Sequence, residues 1–274
     1  MSARVSFKAF MGKLSNIGRI FYGISIAALG LLTIFYHDFP YMLIPPKHSW
    51  LTDHVILVYI AGALLFVAGA CIVFQIKPLS VSLLLGVILL LIFCFYFIPY
   101  ELLVSTNHMH FGDWENAAKE LTFAGGAFVI ADSYSKQNEK SFIPSLSKLM
   151  PLGIIIYSLT IISYGADHFL YAKQAVGYMP SWVTHKLFWM YLTGSALLAS
   201  GIAILLRIKF RLAAALLGTM IFIWVVILHI PKVIAAHGAD DGGEVTSAFL
   251  ALAYCGIAFV IAGKTPKHSP AGGS

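Results

Sequence analysis

The stretch YIAGALLFVAGACIVFQIK, residues 59–77, returns as YLTGSALLASGIAILLRIK at residues 191–209. A shift of 132 residues pairs Tyr59 with Tyr191, Gly62 with Gly194, Gly69 with Gly201 and Ile76-Lys77 with Ile208-Lys209. The same shift carries Leu84-Leu85-Gly86 onto Leu216-Leu217-Gly218 and Ile98-Pro99 onto Ile230-Pro231, with no gap between Tyr59 and Pro99. At a shift of 131, Phe128-Val129-Ile130-Ala131 meets Phe259-Val260-Ile261-Ala262. Leucine-rich segments resemble one another by composition, but composition does not align glycines, a lysine and a proline in register. The chain reads as an internal duplication.

Both quoted stretches are also long enough to cross a bilayer core, which takes roughly 20 apolar residues per helix. Eight such runs are present, at about 17–36, 55–75, 79–98, 116–131, 150–166, 187–206, 212–230 and 245–262. The fourth is short and rich in small residues (Ala124, Gly125, Gly126, Ala127), a composition suited to helix–helix contact. With 59% hydrophobic and 11% charged residues, the chain has too little polar surface for a water-soluble globule of this size. Soluble domains carry about 25% charge.

The expected fold is an all-α integral membrane protein, with eight transmembrane helices arranged as two parallel-repeat four-helix bundles. Residues 1–133 would form the first unit, 134–148 a cytoplasmic linker, 149–264 the second unit and 265–274 a flexible cytoplasmic tail. Four spans per copy is an even number, so both copies enter the bilayer from one side. The amino-terminal apolar run follows Arg4, Lys8, Lys13 and Arg19 and passes Ala28-Leu29-Gly30 without stopping. It reads as a retained first helix, not a signal peptide.

Cytoplasmic loops collect lysine and arginine. With the amino terminus inside, thirteen of the 18 basic residues fall on the inner side; only Lys47, Lys119, Lys173, Lys186 and Lys232 fall outside. The expectation is a bacterial inner-membrane protein, multi-pass, with both termini in the cytoplasm. The net charge of +6 then reports orientation and not nucleic acid. Cys71, Cys94 and Cys255 each stand alone in apolar runs, which gives no support to thiol–disulfide exchange.

The same map sends nearly all histidines and acids to the outer side, while no chain of ionisable groups crosses the core. Three groupings carry the candidate chemistry. His37-Asp38 and Asp167-His168 close the first helix of each copy, where a carboxylate could tune an imidazole. His54 and His185 open the second helix of each copy. The loop Asn107-His108-Met109-His110 precedes Asp113-Trp114-Glu115-Asn116, with Glu120 one turn into the fourth helix.

Candidate acid–base residues are therefore Glu120, Asp167, His168, His37 and Asp38. Candidates for holding a cofactor are His54, His185, His229 and Trp114, and His108 with His110 is the candidate metal pair. Each group has a structural alternative as ordinary polar residues at helix ends and interfaces. Pro99 and Pro231 read as terminators of the third and seventh helices.

Three features make the chain resemble a tandem of the DoxX-like family of four-helix bacterial membrane proteins. They are the helix-ending His37-Asp38 and Asp167-His168, the Gly62–Gly69 and Gly194–Gly201 helices, and the stretch from Asp113 through Glu120 to Gly125-Gly126. The family includes a subunit of thiosulfate:quinone oxidoreductase. The resemblance implies a quinone-associated component of a membrane redox system, with a quinone as cofactor and a redox protein and the lipid bilayer as partners. Copy two departs from the pattern, with Val245 following Glu244 and Ala251 in the place of Glu120. The alternative is a non-enzymatic membrane protein: a small-solute or lipid transporter, or an assembly partner for secreted redox proteins.

Overall fold

The computed structural model describes residues 2–40, 42–44, 54–105, 114–135, 141–237 and 242–264, with side chains from residue 9 onward. The described residues form helices and no strand. Eight long helices follow one another: α1 (Ser2–Tyr36), α2 (Val55–Val73), α3 (Pro78–Leu103), α4 (Glu115–Tyr134), α5 (Leu152–Leu170), α6 (Lys186–Leu205), α7 (Phe210–Ala236) and α8 (Gly243–Gly263). Short helical turns at Pro144–Leu149, Ala172–Ala175 and Val176–Tyr178 precede and follow α5.

Seven of the eight helices are long and apolar enough to cross a membrane, which makes the chain a multi-pass membrane protein. They carry large apolar side chains outward, among them Leu64, Phe95 and Leu216. In water such a surface would drive aggregation; facing lipid tails it costs nothing. The helix outside that group is α4, which holds Glu115, Lys119, Glu120 and Asp132 within 20 residues. Thirteen of its residues are buried, because α3, α5 and α8 pack around it. A helix shielded by protein does not need an apolar exterior.

The two halves interlock. α1 packs on α2 and on α8, α5 packs on α6 and on α4, and α4 meets α8 at the centre. One continuous hydrophobic core runs through both halves, so they are not free-standing bundles. Where α1 crosses α8, a Cβ on Gly18 would strike the Gly256 carbonyl; where α5 crosses α4, a Cβ on Gly153 would strike that of Gly125. Without side chains the backbones touch directly, the usual source of helix affinity in lipid. Tyr22 Oη donates to Phe123 O at 2.7 Å and Tyr157 Oη to Tyr254 O at 2.8 Å, tying α1 to α4 and α5 to α8.

At one end of the bundle, cations meet helix carboxyl termini, where carbonyls lack intrahelical partners. Arg19 donates to Ser133 Oγ and O at 3.0 and 2.9 Å and lies over the Tyr134 ring. Arg211 Nε donates to Ala262 O at 2.9 Å, and Lys264 pairs with Asp132. The α2–α3 and α6–α7 hairpins at this end use one turn. Gln75 and Lys77 in one, and Arg207 and Lys209 in the other, all adopt left-handed backbone. In each turn, one amide reaches back five residues: Ile76 N to Cys71 O and Ile208 N to Ala203 O.

The prolines do not end their helices. α3 opens into a π turn at Phe93–Phe97 and continues through Pro99 to Leu103; α7 does the same at Val225–His229 and continues through Pro231 to Ala236. A proline inside a helix lacks a donor and crowds the carbonyl four residues back. The wider turn just before it relieves that crowding, so the helix bends and goes on.

Candidate functional site

A cavity of about 500 Å³ lies among α5, α6, α7 and α8, with Glu115 and Lys119 of α4 at its edge. Its polarity follows helix register. Ile161, Leu197, Met220, Ile221 and Leu250 line it toward the middle of the bundle. His168, His229, Lys232 and Glu244 line it where their helices approach one end. The result is an amphipathic chamber, apolar inside and polar at its mouth, of a size that suits a small ligand.

Four helices deliver the polar groups. On α5, Tyr164 and His168 are four residues apart and so share a face. The His168 Nδ1 lies 2.7 Å from the Tyr164 carbonyl. On α8, Tyr254 presents its hydroxyl 2.9 Å from that of Tyr164. On α7, His229 is the last residue of the π turn, and its Nδ1 is buried with no hydrogen-bond partner among the described residues. One turn on, Lys232 Nζ pairs with Glu244 Oε1 at 3.2 Å and faces the Tyr178 ring at 5.5 Å. Lys119 Nζ pairs with Glu115 Oε1 at 2.9 Å along α4. Two ion pairs thus flank the mouth, and two imidazoles and a tyrosine pair face the interior.

The structure brings His168 and His229 together around one cavity and leaves the other predicted residues that it describes apart from it. Asp167 is half-buried beside Glu115 and Lys119, its Oδ1 unpartnered among the described residues. His37 and Asp38 are exposed and lie past the end of α1, His37 in left-handed backbone (φ 57°). They do not match Asp167-His168, which sit inside α5 before its end at Leu170. His37 Nδ1 instead meets Tyr59 Oη at 2.8 Å, joining α1 to α2, and Asp38 Oδ1 accepts from the Phe39 amide at 2.7 Å. His54 and His185 are exposed residues immediately before α2 and α6. Trp114 is half-buried just ahead of α4. His108 and His110 lie outside the described residues. Among the described residues no three potential ligands gather for a metal.

Glu120 is fully buried on α4, with neither carboxyl oxygen hydrogen-bonded among the described residues, and it is not part of the cavity wall. Its counterpart at a shift of 131 is Ala251, which does line the cavity. Phe97 stands where the shift of 132 places His229, and Phe123 where the shift of 131 places Tyr254; both phenylalanines are fully buried. Met42 and Leu43 join Phe123 in the hydrophobic core. Most of the polar lining therefore comes from the second half, with Glu115 and Lys119 added from α4, while the first half carries phenylalanine at the positions of His229 and Tyr254. Sequence reading had missed Tyr164, Tyr254 and Trp224. The four-residue step from Tyr164 to His168 was the available signal.

No protein-family model, curated protein or solved structure matches the chain.

Proposed function

We propose that the chain is a membrane protein of the DoxX-like type, with eight spans in two copies of a four-helix unit, that binds a quinone head group in the cavity of its second copy. The observation that carries this reading is the amphipathic chamber: an apolar interior for a substituted ring, with imidazole and hydroxyl groups near its mouth. Quinones need such a mixture, because ring and substituents are greasy while two oxygens exchange hydrogen bonds and protons. Electrons would pass to or from a redox partner protein.

The two-copy architecture draws support from the paired hairpin turns, the π turns 132 residues apart and the matched glycine crossings. The eighth span is α4, whose 20 residues measure about 30 Å, the thickness of a bilayer core. Arg19, Lys77, Lys209, Arg211 and Lys264 share one end of the bundle, which supports placing that end and both termini in the cytoplasm of a bacterial inner membrane. The cavity then opens outward.

Trp224 lines the cavity and supplies the test. Titrating the protein in lipid nanodiscs with duroquinone should quench tryptophan emission saturably, and Trp224→Phe should remove most of that quench. Linear, unsaturable quenching identical to that of Trp224→Phe refutes quinone binding.

A further inference from the structure

The hydrogen bond inside α5 fixes which ring nitrogen of His168 carries the proton. A carbonyl oxygen only accepts, so the contact between His168 Nδ1 and Tyr164 O at 2.7 Å requires the proton on Nδ1. A neutral imidazole has one N–H, and the backbone has claimed it. Nε2 is then a lone-pair acceptor on a cavity-lining ring.

A second proton would make an imidazolium, and among the described residues the acids that line the cavity are already paired with cations. Of the two acids that line the cavity, Glu115 is held by Lys119 at 2.9 Å and Glu244 by Lys232 at 3.2 Å. Asp167 does not line the cavity and has Glu115 and Lys119 as its charged neighbours. His229 adds a second imidazole to the same wall, and Lys119 and Lys232 bring two positive charges near the mouth. The Tyr164–Tyr254 hydroxyl contact at 2.9 Å uses one of the two phenolic protons within the pair.

We infer that the cavity selects its ligand in the hydrogen-donating state, a phenol or hydroquinone whose O–H is given to Nε2 of His168, over the oxidised or O-methylated form of the same ring. This rests on the cavity being a quinone-type site, and it adds which redox form is held. At Nε2 a quinone carbonyl would set acceptor against acceptor and leave that nitrogen unpaired, whereas a quinol hydroxyl would satisfy it.

The experiment compares 4-butylphenol with its methyl ether in the same nanodiscs, for wild type, His168→Phe and His168→Gln, with empty nanodiscs correcting for partition. Wild type should bind the phenol about fivefold more tightly than the ether, the effect of one net hydrogen bond. His168→Phe should bind both alike, and His168→Gln, which keeps an acceptor oxygen, should recover part of the preference. Equal binding by wild type, or a preference that survives in His168→Phe, overturns the inference. Duroquinone binding measured on the same samples shows separately whether the cavity reading stands. Nitrogen-15 spectra of histidine-labelled protein test the tautomer without any substitution. Protonated Nδ1, with an Nε2 signal that moves on adding the phenol, is expected; protonated Nε2 in the free protein overturns the inference.

Discussion

Replacing Glu120 with methionine should stabilise this protein. The side chain is completely buried, and both of its oxygens lack a hydrogen-bond partner among the described residues. A buried polar group left unsatisfied costs about 1–3 kcal/mol relative to a well-packed apolar one. Methionine is close to glutamate in size and flexible enough to fill the same space. Glu120→Met should therefore gain about 1–3 kcal/mol. At about 2–4 °C per kcal/mol for chains of this order, the melting temperature should rise by several degrees.

The assay is thermal unfolding in one fixed detergent, followed by tryptophan emission and checked by size-exclusion recovery. Glu120→Gln should gain less, because an amide remains buried, and Glu120→Ala should lose part of the gain to the cavity it leaves. Duroquinone affinity should be unchanged in all three, since Glu120 does not line the chamber. A lower melting temperature for Glu120→Met would refute the reasoning: the carboxyl would then have a partner worth more than its desolvation. A large loss of duroquinone affinity at unchanged stability would return Glu120 to the site.

Four further substitutions probe the cavity and the helix crossings. His229→Phe reproduces the first half's Phe97; it should abolish saturable duroquinone quenching while leaving the melting temperature equal or higher. Pro231→Ala removes the reason for the π turn, and a return to α geometry would rotate His229 by roughly one residue's step, about 100°. Duroquinone affinity should fall about tenfold with the fold intact, measured by the same titration and a melting curve. Gly18→Leu or Gly153→Leu forces a side chain into a backbone crossing. Each should cost at least about 1–3 kcal/mol, seen as a lower melting temperature or loss of monodisperse protein.

The lipid-facing helices were legible from residues alone, because apolarity over 20 positions is a local property and the bilayer imposes it on each segment separately. So were Gly62, Gly69, Gly194 and Gly201, since close approach of neighbouring helices leaves no room for a Cβ and the requirement is written at one position. Helix ends were less legible. Pro99 and Pro231 look like terminators in one dimension, but packing holds the chain in line and lets a π turn absorb the misfit. The apolar pattern likewise stopped α5 short of Asp167-His168, so that pair was matched with His37-Asp38 beyond the end of α1.

The cavity was the least legible feature. It exists where Tyr164 and His168 on α5, His229 on α7 and Tyr254 on α8 converge, while Phe97 and Phe123 are buried at the first-half positions of His229 and Tyr254. Nothing in the helical pattern says where space is left. Helix formation and membrane insertion depend on each segment's own hydropathy; an open chamber depends on the summed volumes of side chains from distant segments, which only their meeting in three dimensions sets.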